Sequence, residues 1–409
     1  MLSRAGPKGI SPPKGLSPRL ALVLVCVVCT QTTLNLARPL LSYRVLSLGG
    51  GEVAVGLITA AYALLSLVVA LPLGRYTDRN GRTVPVLLTG TVLLVAAPLW
   101  LASSTSLPGV TLGSAVLGLG HIVFMMGGQR FVTTVSDDET LDRDFGLFTA
   151  AVSVGQMLGP LGSGLLLGQA SGEALTGATT RAFLVSAITA AVGLLPVLLL
   201  RRRSSDATPT PESGDQRGAL SLLRRPGMAT GLFTSLALLG AVDLLTAYLP
   251  LIAEERGIAP AVAGVLLAVR SGASILSRLG LGRLAARWQR RTLIVASCLG
   301  AGTCLVLVTA PGLGLVTMTA ALAVGGFLLG IGQPLTMTAV VRTAGTANRG
   351  SGLALRLWTN RAGQVVLPAC AAAVSGSLGA PSALLFAAVV LLVTGGLARF
   401  GTGEGARTE

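Results

Sequence analysis

The 409-residue chain is short of almost everything a soluble enzyme uses. Only 11% of its residues are charged and 4% aromatic, and its one histidine is His121. Ordinary globular chains carry about 25% charged residues, so a chain that is 52% hydrophobic has too little polar surface to coat one soluble core. A single histidine leaves no Ser/His/Asp set, and neither paired carboxylates, metal-ligand spacing nor a phosphate-binding glycine loop occurs. The five cysteines, Cys26, Cys29, Cys298, Cys304 and Cys370, all fall inside apolar runs. They form no disulfide framework and read as small apolar fillers. These absences argue against an enzyme, and no cofactor or metal is expected.

What the chain has is long hydrophobic runs. A helix crossing the hydrocarbon needs about 20 mostly apolar residues, and twelve such windows occur, at 19–46, 53–73, 84–103, 108–131, 145–169, 178–200, 227–252, 259–281, 291–311, 315–340, 351–374 and 379–399. The expected fold is therefore an all-α integral membrane protein, with the bilayer as its solvent and abundant Gly and Ala letting helices approach closely. The first window follows a basic, Pro-rich start like that of a signal peptide. It has no convincing small-residue cleavage site and is read as a retained span.

The net charge of +15 invites a nucleic-acid partner, but the positions of the charges reject it. Lys and Arg crowd into the termini and the loops on the amino-terminal side, whereas Arg44, Arg181 and Arg256 alone fall in loops on the other side. This positive-inside asymmetry places both termini in the cytoplasm. The predominance of Arg over Lys hints at a GC-rich, bacterial genome, hence an inner membrane.

The stretch 201–226 is the one long polar, Pro-containing segment in the interior, and it divides the spans six and six. It is read as a linker. The expected organisation is a tail over 1–18, a six-helix bundle over 19–200, the linker, a second bundle over 227–399 and a tail over 400–409. The halves match weakly at a shift of 208 residues: Gly74 to Arg79 align with Gly282 to Arg287, Gly56 with Gly264, and Gly155 to Pro160 with Gly363 to Pro368. Leu117 to His121 match Leu329 to Gln333 at a slightly larger shift. Parallel repeats of this kind suit two bundles rocking about a midplane site.

Between the second and third spans lies Gly74-Arg-Tyr-Thr-Asp78-Arg79-Asn-Gly81-Arg82. It resembles the loop signature of the major facilitator superfamily of secondary transporters (MFS), matching it at Gly74, Asp78, Arg79, Gly81 and Arg82. The resemblance covers the chain and implies two pseudo-symmetric six-helix bundles, usually in a monomer. It also implies that Asp78 gates the interface of the halves; alternatively the loop charges only fix topology. In the fifth span Gly146, Gly155, Gly159, Pro160 and Gly164 resemble the signature of the superfamily's exporters, with Ser163 as a departure. That pattern implies either export or simply close packing about a proline bend. In the fourth span Gly118 and Gly120 match the end of a pattern seen in proton-coupled exporters, but Ser114 stands at its arginine and Leu117 at its glutamine.

Ionisable groups inside spans cost about 2.5 to 3.5 kcal/mol on insertion scales and so mark functional positions. Those best placed are Arg38, His121, Asp243, Arg270 and Arg361, with Arg356 nearer an end and able to snorkel. By the resemblance, spans 1, 4, 7 and 10 line the cavity, so Asn35, Arg38, His121, Asp243 and Gln333 are expected on its wall, with Asn360, Gln364 and other amides orienting a solute or tying helices together. Asp243 is the one carboxylate deep in a span and the candidate proton carrier, with Arg270 or Arg361 as partner; the alternative is a static salt bridge. His121 either hydrogen-bonds or titrates. The function these features point to is proton-coupled export of a small organic compound, a drug or metabolite. The alternatives are uptake of an organic anion, for which the positive cavity would suit, and a receptor or scaffold with a degenerate transporter body.

Overall fold

The computed structural model describes residues 17–80, 83–136, 141–203, 221–345 and 348–400. They form twelve long helices: α1 (Pro18–Ser47), α2 (Glu52–Asn80), α3 (Thr83–Ser103), α4 (Leu107–Val135), α5 (Leu141–Leu167), α6 (Glu173–Arg203), α7 (Met228–Glu255), α8 (Pro260–Arg287), α9 (Arg290–Thr309), α10 (Leu315–Ala344), α11 (Arg349–Leu378) and α12 (Ala380–Phe400). A short 3-10 turn, Leu222–Arg224, precedes α7. Most of the expected linker lies outside the described residues. Helices alone appear because backbone groups in hydrocarbon must be satisfied within their own segment.

Eleven of these helices are long and apolar enough to cross a membrane. The exception is α11, whose middle carries Arg356, Asn360, Arg361 and Gln364. Large aliphatic side chains such as Leu165, Leu279 and Val316 stand exposed on the outside of the bundle, as lipid contact requires.

Local chemistry sets the helix ends. Ser17 and Ser106 start α1 and α4, their hydroxyls accepting from the backbone N–H groups of Leu20 and Gly109, with a proline at the first turn of each. At the other end α1 and α7 stop at Gly49 and Gly257, whose φ angles of 73° and 65° suit glycine. These two glycines are related by the shift of 208 residues. Two arginines near them, at different offsets, do similar work. Arg44 donates to the Ala102 carbonyl at the end of α3, and Arg256 donates to the Val308, Thr309 and Ala310 carbonyls at the end of α9. Each therefore satisfies helix-end acceptors that lipid cannot. This is a structural use for residues that were read from sequence only as topology signals.

The internal repeat governs the packing. In the first half α1 lies on α5 and α6, α3 on α4 and α6, and α2 on α4; in the second half α7 lies on α11 and α12, α9 on α10 and α12, and α8 on α10. Gly118 of α4 packs on the Tyr62 backbone and Ser66, while Gly330 of α10 packs on Ser274 and Ser277. The halves meet along two equivalent pairs, α2 with α11 and α5 with α8. A Cβ at Gly56 would sit 2.6 Å from the Ala372 Cβ and 2.8 Å from the Pro368 carbonyl; one at Gly264 would sit 2.6 Å from both the Gly164 Cα and the Pro160 carbonyl. The same glycine-on-proline-turn contact is thus made twice about a pseudo-two-fold axis. Both contacts lie at the end of the bundle holding the α1–α2, α5–α6 and α7–α8 connections, called below the turn end. There the Ser42 hydroxyl donates to the Ala247 carbonyl, the Tyr248 hydroxyl to the Glu52 carbonyl, and the Ala261 amide to the Gly168 carbonyl.

Two expectations change. The 74–80 segment, expected as a loop, continues α2; Gly74, Asp78 and Arg79 fall on its last turns, beyond the residues whose side chains are described. Gly81 and Arg82 lie outside the described residues. In α5, Gly155 packs against Gln31 and Thr32, Gly159 against Asn35 and Leu36, and Gly164 across the interface, but nothing lies within 4 Å of a Cβ at Gly146. Gly146 has no contact that demands glycine. Gly264→Val is expected to cost about 1 to 3 kcal/mol through overpacking, whereas Gly146→Ala leaves stability unchanged or raised by up to about 1 kcal/mol; thermal unfolding of the two purified variants checks the contrast.

Candidate functional site

Halfway along the helices a polar cluster joins the two halves. Asp243 lies on α7, the most enclosed span, 83% of whose most apolar stretch is buried. Its side chain is only 3% exposed, so its charge has to be answered by protein. Arg38 of α1, in the other half, donates to one carboxylate oxygen at 2.5 Å. Gln364 of α11 donates its amide to the second oxygen at 2.7 Å, and Arg361 donates to the Gln364 carbonyl oxygen at 2.9 Å. The carboxylate therefore holds an arginine from one half and an amide–arginine chain from the other.

The first half completes the wall. The Arg38 guanidinium lies 5.1 Å from the centre of the Tyr62 ring, a cation–π distance. The Tyr62 hydroxyl is 2.7 Å from His121 Nδ1, and the two rings stack at 6.3 Å. Which of the two donates depends on the imidazole tautomer. A cavity with room for a single water lies here, lined by Arg38, Leu41, Thr59, Tyr62, Asp243, Thr246 and Ala247.

Arg270 on α8 was expected as a partner of Asp243, but it donates to the neighbouring Ser271 hydroxyl at 2.8 Å. Arg38 holds the aspartate in its place, because α1 and α7 face each other across the pseudo-two-fold axis. Arg361 reaches the Asp243 carboxylate through Gln364. Asn35, the repeat counterpart of Asp243, bonds back to the Gln31 carbonyl of its own helix at 2.8 Å. Gln333, the counterpart of His121, is half-buried, and its backbone carbonyl receives Arg356 at 3.4 Å. Asn360 is buried with no partner on its side-chain oxygen.

Two residues of the cluster were not singled out by sequence. Tyr62 carries no charge, so the cost of burying ions did not flag it; its register with Arg270 in the repeat was the available signal. Gln364 stood among several amides, and only its three-residue spacing from Arg361 on one helix face set it apart.

Comparison with known proteins fits this arrangement. The family model of the Major Facilitator Superfamily matches residues 23–314 and 233–405. The chain belongs to this superfamily. It is a multi-pass membrane transporter and not an enzyme. It is 24% identical over 292 residues to the multidrug resistance protein MdtL of Klebsiella pneumoniae, covering 71% of this chain and 72% of that one. It is also 33% identical over 114 residues to the class C tetracycline resistance protein of Escherichia coli, covering 27% of this chain and only 28% of that protein's length. The fold matches the nucleoside transporter NupG in its D323A mutant form (TM-score 0.76, 14% identity, 94% of this chain and 99% of that one). It likewise matches a POT family transporter in complex with 5-aminolevulinic acid (0.77, 15%, 94% and 97%).

The ion pair makes a measurable claim. Asp243→Leu leaves Arg38 buried without a counter-charge and is expected to cost about 3 to 5 kcal/mol, whereas Arg38→Met combined with Asp243→Leu recovers most of that loss. A double-mutant cycle on thermal stability in detergent measures the coupling.

Proposed function

We propose that this transporter exports a small organic compound, a drug or metabolite, across a bacterial inner membrane in exchange for protons, by alternating access and with both termini in the cytoplasm. The observation that carries the reading is the Arg38–Asp243 pair, one member from each half, at the depth where the cavity closes. A carboxylate gripped by both halves in one conformation loses a partner when they rock apart, and a proton can take that partner's place. Proton uptake on one side and release on the other then follow the rocking.

The resistance proteins named above support the outward direction, and the positive-inside charge pattern supports the orientation. The glycine-on-proline contacts at Gly56 and Gly264 suit a turn end that closes tightly and reopens without side chains to disentangle. In this scheme Asp78 of the α2 terminus steadies the opposite end, and the protein works as a monomer. Uptake of an organic anion is the second reading. It is favoured by the excess of buried arginines, Arg38, Arg270 and Arg361 against Asp243.

Untargeted profiling of cells and medium tests the direction, in a host carrying wild type, Asp243→Asn or no protein, with membrane abundance matched. Export predicts a solute depleted inside and enriched outside with wild type only, with the gradient collapsing on addition of a protonophore. Accumulation inside the wild-type host establishes uptake instead.

A further inference from the structure

Charge is divided unevenly between the halves. No Asp or Glu occurs between Glu255 and Glu404, a stretch that spans α8 to α12 and carries twelve arginines. At the end opposite the turn end, the first half carries Asp78 and, around the α4–α5 connection, Asp137, Asp138, Glu139, Asp142 and Asp144. The corresponding connections of the second half, α8–α9 and α10–α11, carry no carboxylate. The second copy of the Gly74 to Arg79 motif keeps its arginines as Arg283 and Arg287, but places Ala286 where the first has Asp78.

The helix α8 leads this positive charge directly out of the lipid. Leu276 and Leu279 stand 65% and 79% exposed on its outer side. Arg283 and Arg287 lie about two and three turns further on, in register with Leu276 along the same stripe. The inner side of this segment is fixed by Leu281 and Leu284, which pack with Leu293 and Ile294 of α9 and Ile331 and Leu335 of α10. Arg283, Arg287 and Arg290 are exposed, and among the described residues they make no hydrogen bond or ion pair. Arg291, in the first turn of α9, donates to the Arg399 carbonyl at the end of α12. Trp288, in the turn between α8 and α9, is 53% exposed, as suits an indole at the headgroup level of a bilayer. A lipid-facing stripe of leucine therefore ends in three guanidinium groups and an indole.

We infer that this α8–α9 corner binds the headgroup of an anionic phospholipid, with Arg283, Arg287 and Arg290 as donors and Trp288 beside them. The phosphate supplies the negative charge that the second half lacks, and guanidinium groups hold it through paired hydrogen bonds. The acyl chains then lie along Leu276 and Leu279. Continuity with the lipid-facing stripe is what favours a lipid over an anion from solution. The site is remote from the central cavity and rests on neither the direction of transport nor its coupling.

Bromine quenches tryptophan fluorescence only at close range, so brominated lipids report on this corner. The full-length protein carrying Trp100→Phe and Trp358→Phe keeps Trp288 as its one fluorophore and is placed in phosphatidylcholine nanodiscs. Brominated phosphatidylglycerol is expected to quench Trp288 at a several-fold lower mole fraction than brominated phosphatidylcholine. A basic residue near an anionic surface is worth roughly fivefold in affinity, so Arg283→Gln combined with Arg287→Gln is expected to abolish the preference. Ala286→Asp, which restores the carboxylate and leaves the arginines in place, is expected to reduce it. Arg342→Gln, at an exposed position on the same end of α10, is expected to leave it intact. Four results overturn the inference: equal quenching by the two lipids before any arginine is changed, an undiminished preference in the double arginine variant or in Ala286→Asp, an equal loss in Arg342→Gln, which would make the attraction diffuse, or reversal by millimolar sodium phosphate at constant ionic strength, which would make the ligand a free anion.

Discussion

One carboxylate among buried arginines in the middle of a membrane protein is the constraint on which the rest depends. Asp243 is almost completely buried, so its oxygens must be met by protein donors. The two donors come from different places: Arg38 from the first half, and Gln364 from the second, backed by Arg361. Joining a charge pair across the interface makes the contact between the halves an electrostatic matter as well as one of packing. That is what lets an event as small as a proton or a solute bear on the position of whole bundles.

Packing supplies the other half of the mechanism. Gly56 on the Pro368 turn and Gly264 on the Pro160 turn bring backbones into direct contact at the turn end. Lipid provides no hydrophobic drive between helices, so close backbone approach and interhelical hydrogen bonds hold the interface. Such contacts are dense when made and leave no long side chains interlocked when broken. The carbonyls of Pro160 and Pro368 are what these glycines meet, so the helix 5 signature acts here at Pro160 and Gly164 in the interface and at Gly155 and Gly159 against α1.

The duplicated architecture has diverged where chemistry is done and stayed alike where only geometry matters. Gly49 and Gly257 end equivalent helices, and Arg44 and Arg256 cap equivalent helix ends. At the centre the pairs part company: Asn35 against Asp243, Tyr62 against Arg270, His121 against Gln333. The asymmetry places the fixed negative charge in the second half, while the first half answers with Arg38 and the Tyr62–His121 pair. A rocking machine with identical halves would have no such polarity in its site.

The sequence by itself determined the class of molecule, the number of apolar windows, the duplication and the short roster of costly charges, because each follows from local composition in a solvent that tolerates only satisfied backbones and few ions. It marked Arg38, Asp243, Arg270 and Arg361 for the same reason, each one being an expensive residue in an apolar run. Only the tertiary structure decided which of them pair. Asp243 meets Arg38 and not Arg270, since partner choice depends on which helix faces cross the pseudo-two-fold axis, and that is a long-range property no window of sequence contains. The same holds for Tyr62 and Gln364, which carry no charge to draw attention and become part of the site only because helix packing brings them within hydrogen-bonding distance of His121 and Asp243.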